Sequence, residues 1–415
     1  MTFSSTAEYF SMRTRPGVER ARRVELGDDP SRLILVNAVG GRFTVEQFRE
    51  LLISAVMSGV DDLTFQSGGP VVGILYQRLR FLTDRALSET EINDILTEIY
   101  GEANVISELK SRNILDFSYE LNLPDGNSRR FRVNATPISS GVEITFRAFP
   151  VKTPDFKMNL LKDKEVEVLK PRVGLVLISG ETGSGKSTFM ASLIGDLLSS
   201  VELPRKIVDL QAPIEFNYRD ILLKNNLSPS VIGQSEVGRD IRSFAEGMRS
   251  ALRRNPNVIS VGEARDEETI RALLLAATSG HACYSTTHAN SIEETFDRVL
   301  SEVPAGSRES AGYQFLKSVH FIAAQVLIKR EDKPGMLPVR EYLEFTPALK
   351  ERLQSLPMNQ WAGLIRKRLR GEHGFEDTGI CQRYDQVCRY LRDRGAMSDS
   401  DALNILGRQN YAEFM

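Results

Sequence analysis

The sequence predicts an α/β protein built on a parallel sheet with helices on both faces, preceded along the chain by an α+β unit. The first observation is the apolar run Val173–Ser179, which is typical of a buried strand and leads through a glycine-rich loop into an apolar-striped helix. The second is that strand and helix patterns alternate after Val173, which indicates a parallel sheet. The third is that short strand-like runs and two helical stripes share residues 43–150, which indicates a separate unit.

The bulk composition limits the classes of function. The 415 residues suggest two or three domains. Lys and Arg number 53 against 55 Asp and Glu, so direct nucleic-acid binding driven by bulk charge is not expected. Three cysteines form no disulfide framework, which favours a reducing cytoplasm. The N-terminus lacks the apolar region of a signal peptide, and the longest apolar stretch, around Phe321–Ile328, is too short to span a bilayer.

Residues 1–42 are predicted to be a polar N-terminal extension, and residues 43–150 the α+β domain. Within that domain Val45–Val56 carries a helical stripe, and Ser88 with Glu91 forms a capping box that opens a second helix. The predicted strands are Leu63–Gln66, Val71–Arg78, Phe117–Leu123, Phe131–Ala135 and Val142–Phe149.

Residues 151–170 are charged and are predicted to be a linker that leads into a helix. Residues 171–345 form the predicted sheet-containing core, and residues 346–415 a helical C-terminal region. The predicted core strands are Val173–Ser179, Lys206–Leu210, Val258–Val261 and Ala282–Thr286, and the predicted C-terminal helices are Trp361–Arg370, Ile380–Arg392 and Ser398–Leu406.

The loop Gly180–Ser187 matches the phosphate-binding pattern G-x-x-x-x-G-K-[ST]. Its glycines allow backbone N–H groups to point inward, where they and the helix N-terminus hold an anion. Lys186 would reach the β- and γ-phosphates, and the Ser187 hydroxyl would hold Mg²⁺. The alternative is a glycine-rich turn, which the strand–loop–helix context disfavours. The predicted nucleotide-binding residues of this segment are Gly180, Thr182, Gly183, Ser184, Gly185, Lys186, Ser187 and Thr188.

Two further segments carry candidate chemistry. Glu263 follows the apolar strand Val258–Val261, at the place where a nucleotide hydrolase keeps the acid that orients water near the γ-phosphate. An ordinary strand end with surface charges remains the alternative for this segment taken alone. A later strand delivers Thr287 and His288 to the carboxyl edge of the sheet, on the same side as the loop. A histidine there could sense the γ-phosphate, although a single histidine is more often an ordinary polar residue.

The order of these motifs resembles that of the secretion and pilus ATPases of the PilT/GspE superfamily, over roughly residues 50–345. The resemblance implies a RecA-like P-loop core, a PAS-like N-terminal domain, a helical C-terminal region, a homo-hexameric ring, and ATP with Mg²⁺. Within the superfamily, the sequence looks most like the DotB/TraJ ATPases of type IVB secretion and conjugation. The matching segments are Gly180–Thr188, Pro213–Phe216, Ser250–Arg253, Val261–Asp266, Ser279–His281, Thr287–Asn290, Asp297–Val299 and Ala324–Leu327.

The resemblance also implies roles for individual residues. Glu263 would be the general base or water-orienting acid. His281 and His288 fall in the family's histidine box, and we expect them to be catalytic together with Lys186. Arginines of the N-terminal domain approach the nucleotide in this family and act as arginine fingers. The residues that match are Arg130, Arg132 and Arg147, and the sequence does not decide which of them reaches the phosphate.

One segment departs from the family pattern. The acidic box usually reads Glu-Asp-Pro-x-Glu, whereas Gln211 and Ala212 replace its first two carboxylates and only Glu215, which we expect to be catalytic, remains. Asp209 lies on the same strand face as Gln211, and we hypothesise that it helps to orient the water shell of Mg²⁺. The departure puts the hydrolysis rate in doubt, but not nucleotide binding.

The favoured function is a cytoplasmic ATPase motor held peripherally at the inner membrane by membrane-embedded or coupling partners of a type IVB secretion or conjugation apparatus. A pilus retraction motor remains open, as does a nucleotide-gated docking platform with little turnover, which the Gln211-Ala212 departure favours. A DNA-handling ATPase has local support only from the basic run Arg366–Arg370, which is more often a solvated face.

Overall fold

The computed structural model describes residues 32–36, 41–60, 62–75, 78–124, 128–150, 152–159, 161–224, 227–333, 335–372, 374–375 and 379–414. The chain divides into a first unit that ends at residue 151 and a second that begins at Lys152. Most of the predicted polar extension, residues 1–31 and 37–40, lies outside the described residues. None of the helices described is long and apolar enough to cross a membrane.

The first unit is a seven-stranded sheet in the order β1-β4-β3-β2-β7-β6-β5. Neighbouring strands are antiparallel except for β1 and β4, which are parallel. The strands are β1 (Arg32–Val36), β2 (Asp62–Gln66), β3 (Val72–Leu75), β4 (Arg78–Thr83), β5 (Leu115–Asn122), β6 (Ser128–Ile138) and β7 (Gly141–Ala148). The helices are α1 (Val45–Met57), α2 (Glu89–Tyr100) and α3 (Val105–Arg112).

The helices of the first unit bury one face of its sheet. Alternate residues of the strands point into a single apolar core, in which Phe48 of α1 meets Phe65 at 5.5 Å and Phe146 at 5.7 Å between ring centroids. The predicted capping box is present, because the Ser88 side chain accepts from the Glu91 N–H while the Glu91 carboxylate accepts from the Ser88 N–H.

Two predictions for the first unit are corrected, and one helix was missed. The run Val71–Arg78 is not one strand: β3 ends at Leu75, β4 begins at Arg78, and the two pair antiparallel. The stretch predicted as a polar extension contains β1, whose apolar sequence pairs with β4 at the sheet edge. The helix α3 was not predicted, because its eight residues are too short for a clear apolar stripe.

The second unit is an eight-stranded sheet in the order β10-β9-β11-β12-β8-β13-β14-β15. The first six strands in this order, β10, β9, β11, β12, β8 and β13, run parallel to one another. β14 pairs antiparallel with both β13 and β15. The strands are β8 (Gly174–Ser179), β9 (Lys206–Gln211), β10 (Val231–Glu236), β11 (Val258–Val261), β12 (Ala282–Thr287), β13 (Val319–Lys329), β14 (Met336–Glu344) and β15 (Cys381–Gln382). The predicted α/β class is confirmed, but the sheet is mixed and larger than predicted.

Helices cover both faces of the second sheet. Val176 and Ile178 of β8 pack under α5, whereas Leu175 and Leu177 point into a second core on the opposite face. The helices are α4 (Asp163–Val168), α5 (Lys186–Ser199), α6 (Arg219–Lys224), α7 (Phe244–Leu252), α8 (Glu267–Thr278), α9 (Ile292–Ser301), α10 (Arg308–Ser318), α11 (Pro347–Gln354), α12 (Trp361–Leu369), α13 (Tyr384–Arg392) and α14 (Asp399–Phe414).

The predicted helix Ile380–Arg392 is wrong at its start. Cys381 and Gln382 form β15, which pairs with Leu343 and Tyr342 of β14, and the helix begins only at Tyr384. The backbone of β14 has hydrogen-bonding groups along its edge, so the first residues of the predicted helix pair with this strand and do not become helical. The last helix, α14, extends past its predicted end and is interrupted at Gly407, where φ is +73°.

Candidate nucleotide-binding site

The glycine-rich loop connects the buried strand β8 to α5, as its sequence predicts. Gly183 and Gly185 have φ of +82° and +83°, in the left-handed region that disfavours other residues. At Gly180 a Cβ atom would lie 2.3 Å from the backbone oxygen of Gln325. Glycine is therefore required at all three positions, and the loop turns so that it ends on the N-terminus of α5.

Lys186 lies inside this loop. Its side chain is only 8% exposed, and its Nζ donates to the backbone oxygens of Gly180 at 2.6 Å and Glu181 at 2.8 Å. Burial lowers the pKa of Lys186, while the charges of Glu263, Glu181 and Glu215 act in the opposite direction. These carboxylates favour the charged ammonium, the form that binds phosphate.

The loop residues fit the phosphates of a nucleoside triphosphate. The Ser184 hydroxyl oxygen is buried in the loop without a hydrogen-bond partner, and a phosphate oxygen could satisfy it. Ser187 and Thr188 are exposed in the first turn of α5. In the described part of the chain, no group of three His, Cys, Asp or Glu side chains could hold a metal. Ser187 is the residue of the loop that would hold Mg²⁺, because Mg²⁺ commonly binds through few protein groups plus substrate phosphates.

Glu263 and His288 lie beside the loop, because parallel strands bring their carboxyl ends to one edge. Thr287 of β12 is the register partner of Ser179 of β8, so His288 follows next to the loop. Its Nε2 is 3.4 Å from Oε1 of Glu263, and its Nδ1 is 3.4 Å from Nζ of Lys186. An acid, a histidine and the loop lysine thus form one cluster.

The backbone around Glu263 is fixed by β12. The Thr286 hydroxyl donates to the Gly262 oxygen at 2.6 Å, and the Ala264 N–H donates to the Thr286 oxygen at 3.0 Å. A Cβ atom on Gly262 would lie 2.5 Å from Oε1 of Gln211. The absence of a side chain at position 262 therefore makes room for the Gln211 amide.

The Asp209 carboxylate is buried and binds Gln211, so it does not face the phosphate-binding loop. It is 1% exposed, and its carboxylate accepts from Gln211 Nε2 at 2.6 Å and from Gln234 Nε2 at 2.9 Å. Burial raises the pKa of Asp209, and hydrogen bonds from the two amides lower it in part. This placement gives no support to the hypothesis that Asp209 orients the water shell of Mg²⁺.

Two other predicted catalytic residues lie in different places. Glu215 is half-buried and close enough to raise the pKa of Lys186 by its charge. His281 precedes β12 at the amino edge of the sheet, where its Nδ1 lies 3.2 Å from the Ala276 oxygen. β12 lies between His281 and His288, and the seven residue steps at about 3.3 Å each separate them by roughly 23 Å. Within this chain, the structure does not bring His281 to the loop.

The three predicted arginines share one face of the first unit's sheet. Arg132 and Arg147 are register partners on β6 and β7, and Arg130 lies two residues before Arg132. Arg130 donates to the Ser118 hydroxyl at 3.0 Å, and Arg147 donates to an Asp62 oxygen at 2.8 Å. All three belong to the first unit, whereas the loop belongs to the second.

Half of the basic residues in the run Arg366–Arg370 are engaged in structural contacts. Arg366 pairs with Glu293, with 3.0 Å between Nε and Oε1. Arg368 is 7% exposed and donates to the Gly379 oxygen at 2.6 Å. Lys367 and Arg370 are exposed. The DNA-handling alternative therefore loses half of the charged surface on which it rested.

The sequence reasoning missed two residues that contact the loop. The Asn290 side chain donates to Oε1 of Glu181 at 3.2 Å. Gln325 of β13 donates to the Ser184 oxygen at 2.5 Å. Gln325 could have been found from the sequence, because it is the single glutamine within the apolar run Phe321–Ile328 and an amide in a buried strand requires polar partners.

Residues 40–341 match the family model described as type II/IV secretion system protein. A twitching motility protein of Neisseria gonorrhoeae is 33% identical over 278 residues, 66% of this chain and 70% of that protein. The type IV pilus retraction ATPase PilT of Pseudomonas aeruginosa is 30% identical over 332 residues, 80% of this chain and 92% of that protein.

Solved structures agree with these sequence matches. The ATPase DotB of Legionella pneumophila superposes with a TM-score of 0.79 at 33% identity, covering 88% of this chain and 97% of that one. The pilus retraction motor PilT with bound ADP superposes with a TM-score of 0.73 at 27% identity, covering 88% and 99%. The similarity thus spans both units.

Proposed function

Because the chain belongs to the type II/IV secretion system protein family and is an ATPase of the PilT/GspE secretion and pilus type, we propose that it is a hexameric motor that drives a type IVB secretion or conjugal DNA-transfer apparatus. The observation that carries the proposal of active turnover is the cluster of Glu263, His288 and Lys186 beside the loop. The similarity to DotB along almost the whole of that chain supports the choice of apparatus.

In this proposal the loop binds the phosphates of ATP. The N–H groups at the start of α5 and the Lys186 ammonium hold the β- and γ-phosphates. The Ser187 hydroxyl contributes to holding Mg²⁺, which neutralises phosphate charge when bound. Glu263 orients the attacking water or accepts its proton, and His288 keeps the Glu263 carboxylate in place through their 3.4 Å contact.

The proposal extends to assembly and partners. One of Arg130, Arg132 and Arg147 stabilises the phosphate charge as an arginine finger when the ring is assembled. Movement of the first unit relative to the second then does work on membrane-embedded or coupling components, because the γ-phosphate contacts differ between conformational states. The protein is accordingly cytoplasmic and reaches the inner membrane only through those partners.

Two alternatives have specific support. The match to the retraction ATPase PilT of Pseudomonas aeruginosa favours pilus retraction, which uses the same site chemistry. The replacement of two family carboxylates by Gln211 and Ala212 favours a docking platform that binds ATP with little turnover. Gln211 carries an amide in place of a carboxylate, and that amide is engaged with Asp209.

The test of catalysis is steady-state ATP hydrolysis with Mg²⁺, with the oligomeric mass measured in the same sample. We expect Glu263→Gln to lower turnover by about 10²- to 10⁴-fold while ATP still binds, because it removes the acid but keeps the shape. We expect Lys186→Ala to abolish ATP binding.

Glu268→Gln is the matched control. Glu268 is exposed and pairs only at the surface with Arg249, so its turnover should equal that of the wild type. A Glu263→Gln variant as active as Glu268→Gln would refute the role of Glu263. A wild-type hexamer that binds ATP without turnover, with or without its membrane partners, would favour the platform.

The apparatus is tested in the source cell. Replacement of the gene by the Glu263→Gln allele should abolish conjugal plasmid transfer or secretion of protein substrates and leave pilus retraction unchanged. Loss of retraction with normal transfer would establish the pilus alternative instead.

A further inference from the structure

A buried chain of hydrogen bonds runs from the loop to the segment that follows the first unit. The Gln325 side chain donates to the Ser184 oxygen at 2.5 Å. Its own Oε1 accepts from Nε of Arg340 on β14 at 2.7 Å. The two terminal nitrogens of Arg340 donate to Asn159, at 2.9 Å to its backbone oxygen and 2.6 Å to its side-chain oxygen.

This chain closes back on the helix that the loop opens. The Asn159 side chain donates to the Ser192 hydroxyl of α5 at 2.8 Å. The Arg340 guanidinium also lies over the ring of Phe189 in α5, 4.1 Å from its centroid. The loop and the first turns of α5 are thus held from one side by a single connected network.

Gln325 contacts the loop at both ends. Its backbone oxygen occupies the space that a Cβ atom on Gly180 would need, and its amide nitrogen lies 3.0 Å from the corresponding position on Gly185. It is 2% exposed, so water does not replace its bonds at the surface. The position of the Ser184 carbonyl, and with it the direction of the adjacent N–H groups, depends on this one amide donor.

Arg340 is an unusual residue to bury. It is 5% exposed, and its hydrogen bonds go to amide oxygens of Gln325 and Asn159. Burial lowers the pKa of Arg340 to about 9, and the charge of Glu165 opposes this shift. A buried guanidinium is costly unless its donors are satisfied, so its bonds to Gln325 fix which way that amide faces.

We propose that Gln325, oriented by Arg340, is a positioning residue that sets the phosphate-binding loop in the conformation that accepts nucleotide. The proposal rests on the proposed nucleotide site and adds to it the contacts that hold the loop in position. Neither side chain is assigned to touch ATP. Their effect reaches the phosphates through the Ser184 backbone.

The decisive variant is Gln325→Glu. A carboxylate can still accept from Arg340, so the buried contact between β13 and β14 is kept. It cannot donate to the Ser184 oxygen and repels it instead. We expect the affinity for a fluorescent ATP analogue and for ADP to fall by at least about tenfold. The rise in melting temperature on adding ADP should shrink correspondingly, since that rise follows ligand affinity.

Two uncharged variants at Arg340 test whether the hydrogen bond to Gln325, and not the positive charge, is what matters. In Arg340→Gln the amide nitrogen stands as many bonds from Cα as the arginine Nε, so it can still donate to Gln325. Arg340→Leu removes that donor. We expect Arg340→Gln to bind nucleotide within about threefold of the wild type, and Arg340→Leu to resemble Gln325→Glu. This comparison remains informative if Gln325→Glu fails to fold.

Tyr342→Phe is the control for general loosening. Tyr342 lies two residues after Arg340 on β14 and hydrogen-bonds to Glu165 of α4, without any bond to the loop. Loss of the Tyr342 hydroxyl should leave the affinity for nucleotide unchanged. Wild-type affinity in Gln325→Glu, or an equal loss in Tyr342→Phe, would overturn the positioning role while the proposed function stands. A wild-type protein that binds no nucleotide would overturn both.

Discussion

Gly262→Ala tests whether crowding beside Gln211 fixes the position of Glu263, the proposed water-orienting acid. The added methyl would lie 2.5 Å from Oε1 of Gln211, closer than such atoms approach. Gln211 must then rotate away and lose its 2.6 Å bond to the buried Asp209 carboxylate. A hydrogen bond to a charged group contributes about 1.5–3 kcal/mol, so we expect about 2 kcal/mol of destabilisation.

The same substitution should lower ATP turnover. Glu263 is the next residue, and a displacement of about 1 Å at a catalytic group can reduce the rate on the order of 10²-fold. Urea unfolding gives the change in stability, and steady-state hydrolysis gives the change in rate. When Gln211→Ala is already present, Gly262→Ala should lower the free energy of unfolding by less than about 0.5 kcal/mol, because the side chain of Gln211 that it would clash with is gone.

Gly363→Ala is the matched control. Gly363 lies exposed in α12, and an added Cβ there meets nothing within 4 Å. Alanine in a helix is favoured over glycine, so this variant should be neutral or up to about 1 kcal/mol more stable, with unchanged turnover. Wild-type stability and turnover in Gly262→Ala would refute the reasoning.

Two further predictions concern the first unit. Arg85, together with N–H donors of Phe43 and Ser88, lowers the pKa of Glu91 to about 2 from 4.5. The ionised Glu91 therefore stabilises the folded unit fully above about pH 4.5, and this stabilisation is lost as the pH falls toward 2. Hydrogen exchange of α2 should report a loss of up to about 3 kcal/mol in that window, and Glu91→Gln should remove the dependence. Phe48→Ala should destabilise the unit by about 3–5 kcal/mol in urea unfolding, because it leaves a cavity against Phe65 and Phe146. Leu79→Ala, at a side chain 66% exposed, should change stability by less than about 0.5 kcal/mol, and an equal effect of both variants would contradict the packing argument.

Much of the site was predictable because its signals are local or follow from strand direction. The loop needs only consecutive residues, and Glu263 and His288 each follow a buried strand whose carboxyl end lies at the loop's edge. The predicted resemblance to the PilT/GspE superfamily and the ATPase activity are confirmed by the family match. The catalytic and binding roles of individual residues, and the domain boundaries, stay predictions.

Two of the strands that were missed, β14 and β15, share a physical cause. The sequence of β14, Met336–Glu344, contains a proline and three charged residues, so it lacks the apolar pattern of a central strand. It is held by antiparallel pairing to β13 and not by its own composition. In the same way β15 exists only because β14 offers an edge to pair with.

The sequence by itself determined the phosphate-binding loop, the α/β class and the carboxyl-edge placement of the acid and the histidine, because these follow from neighbouring residues and from strand direction. Only the tertiary structure decided that Gln211 faces Asp209, and that Gln325 and Arg340 hold the loop. Ser184, Gln325 and Arg340 are far apart in the sequence, and no local pattern encodes which buried donor meets which acceptor. That pairing is set by the register of β8, β13 and β14.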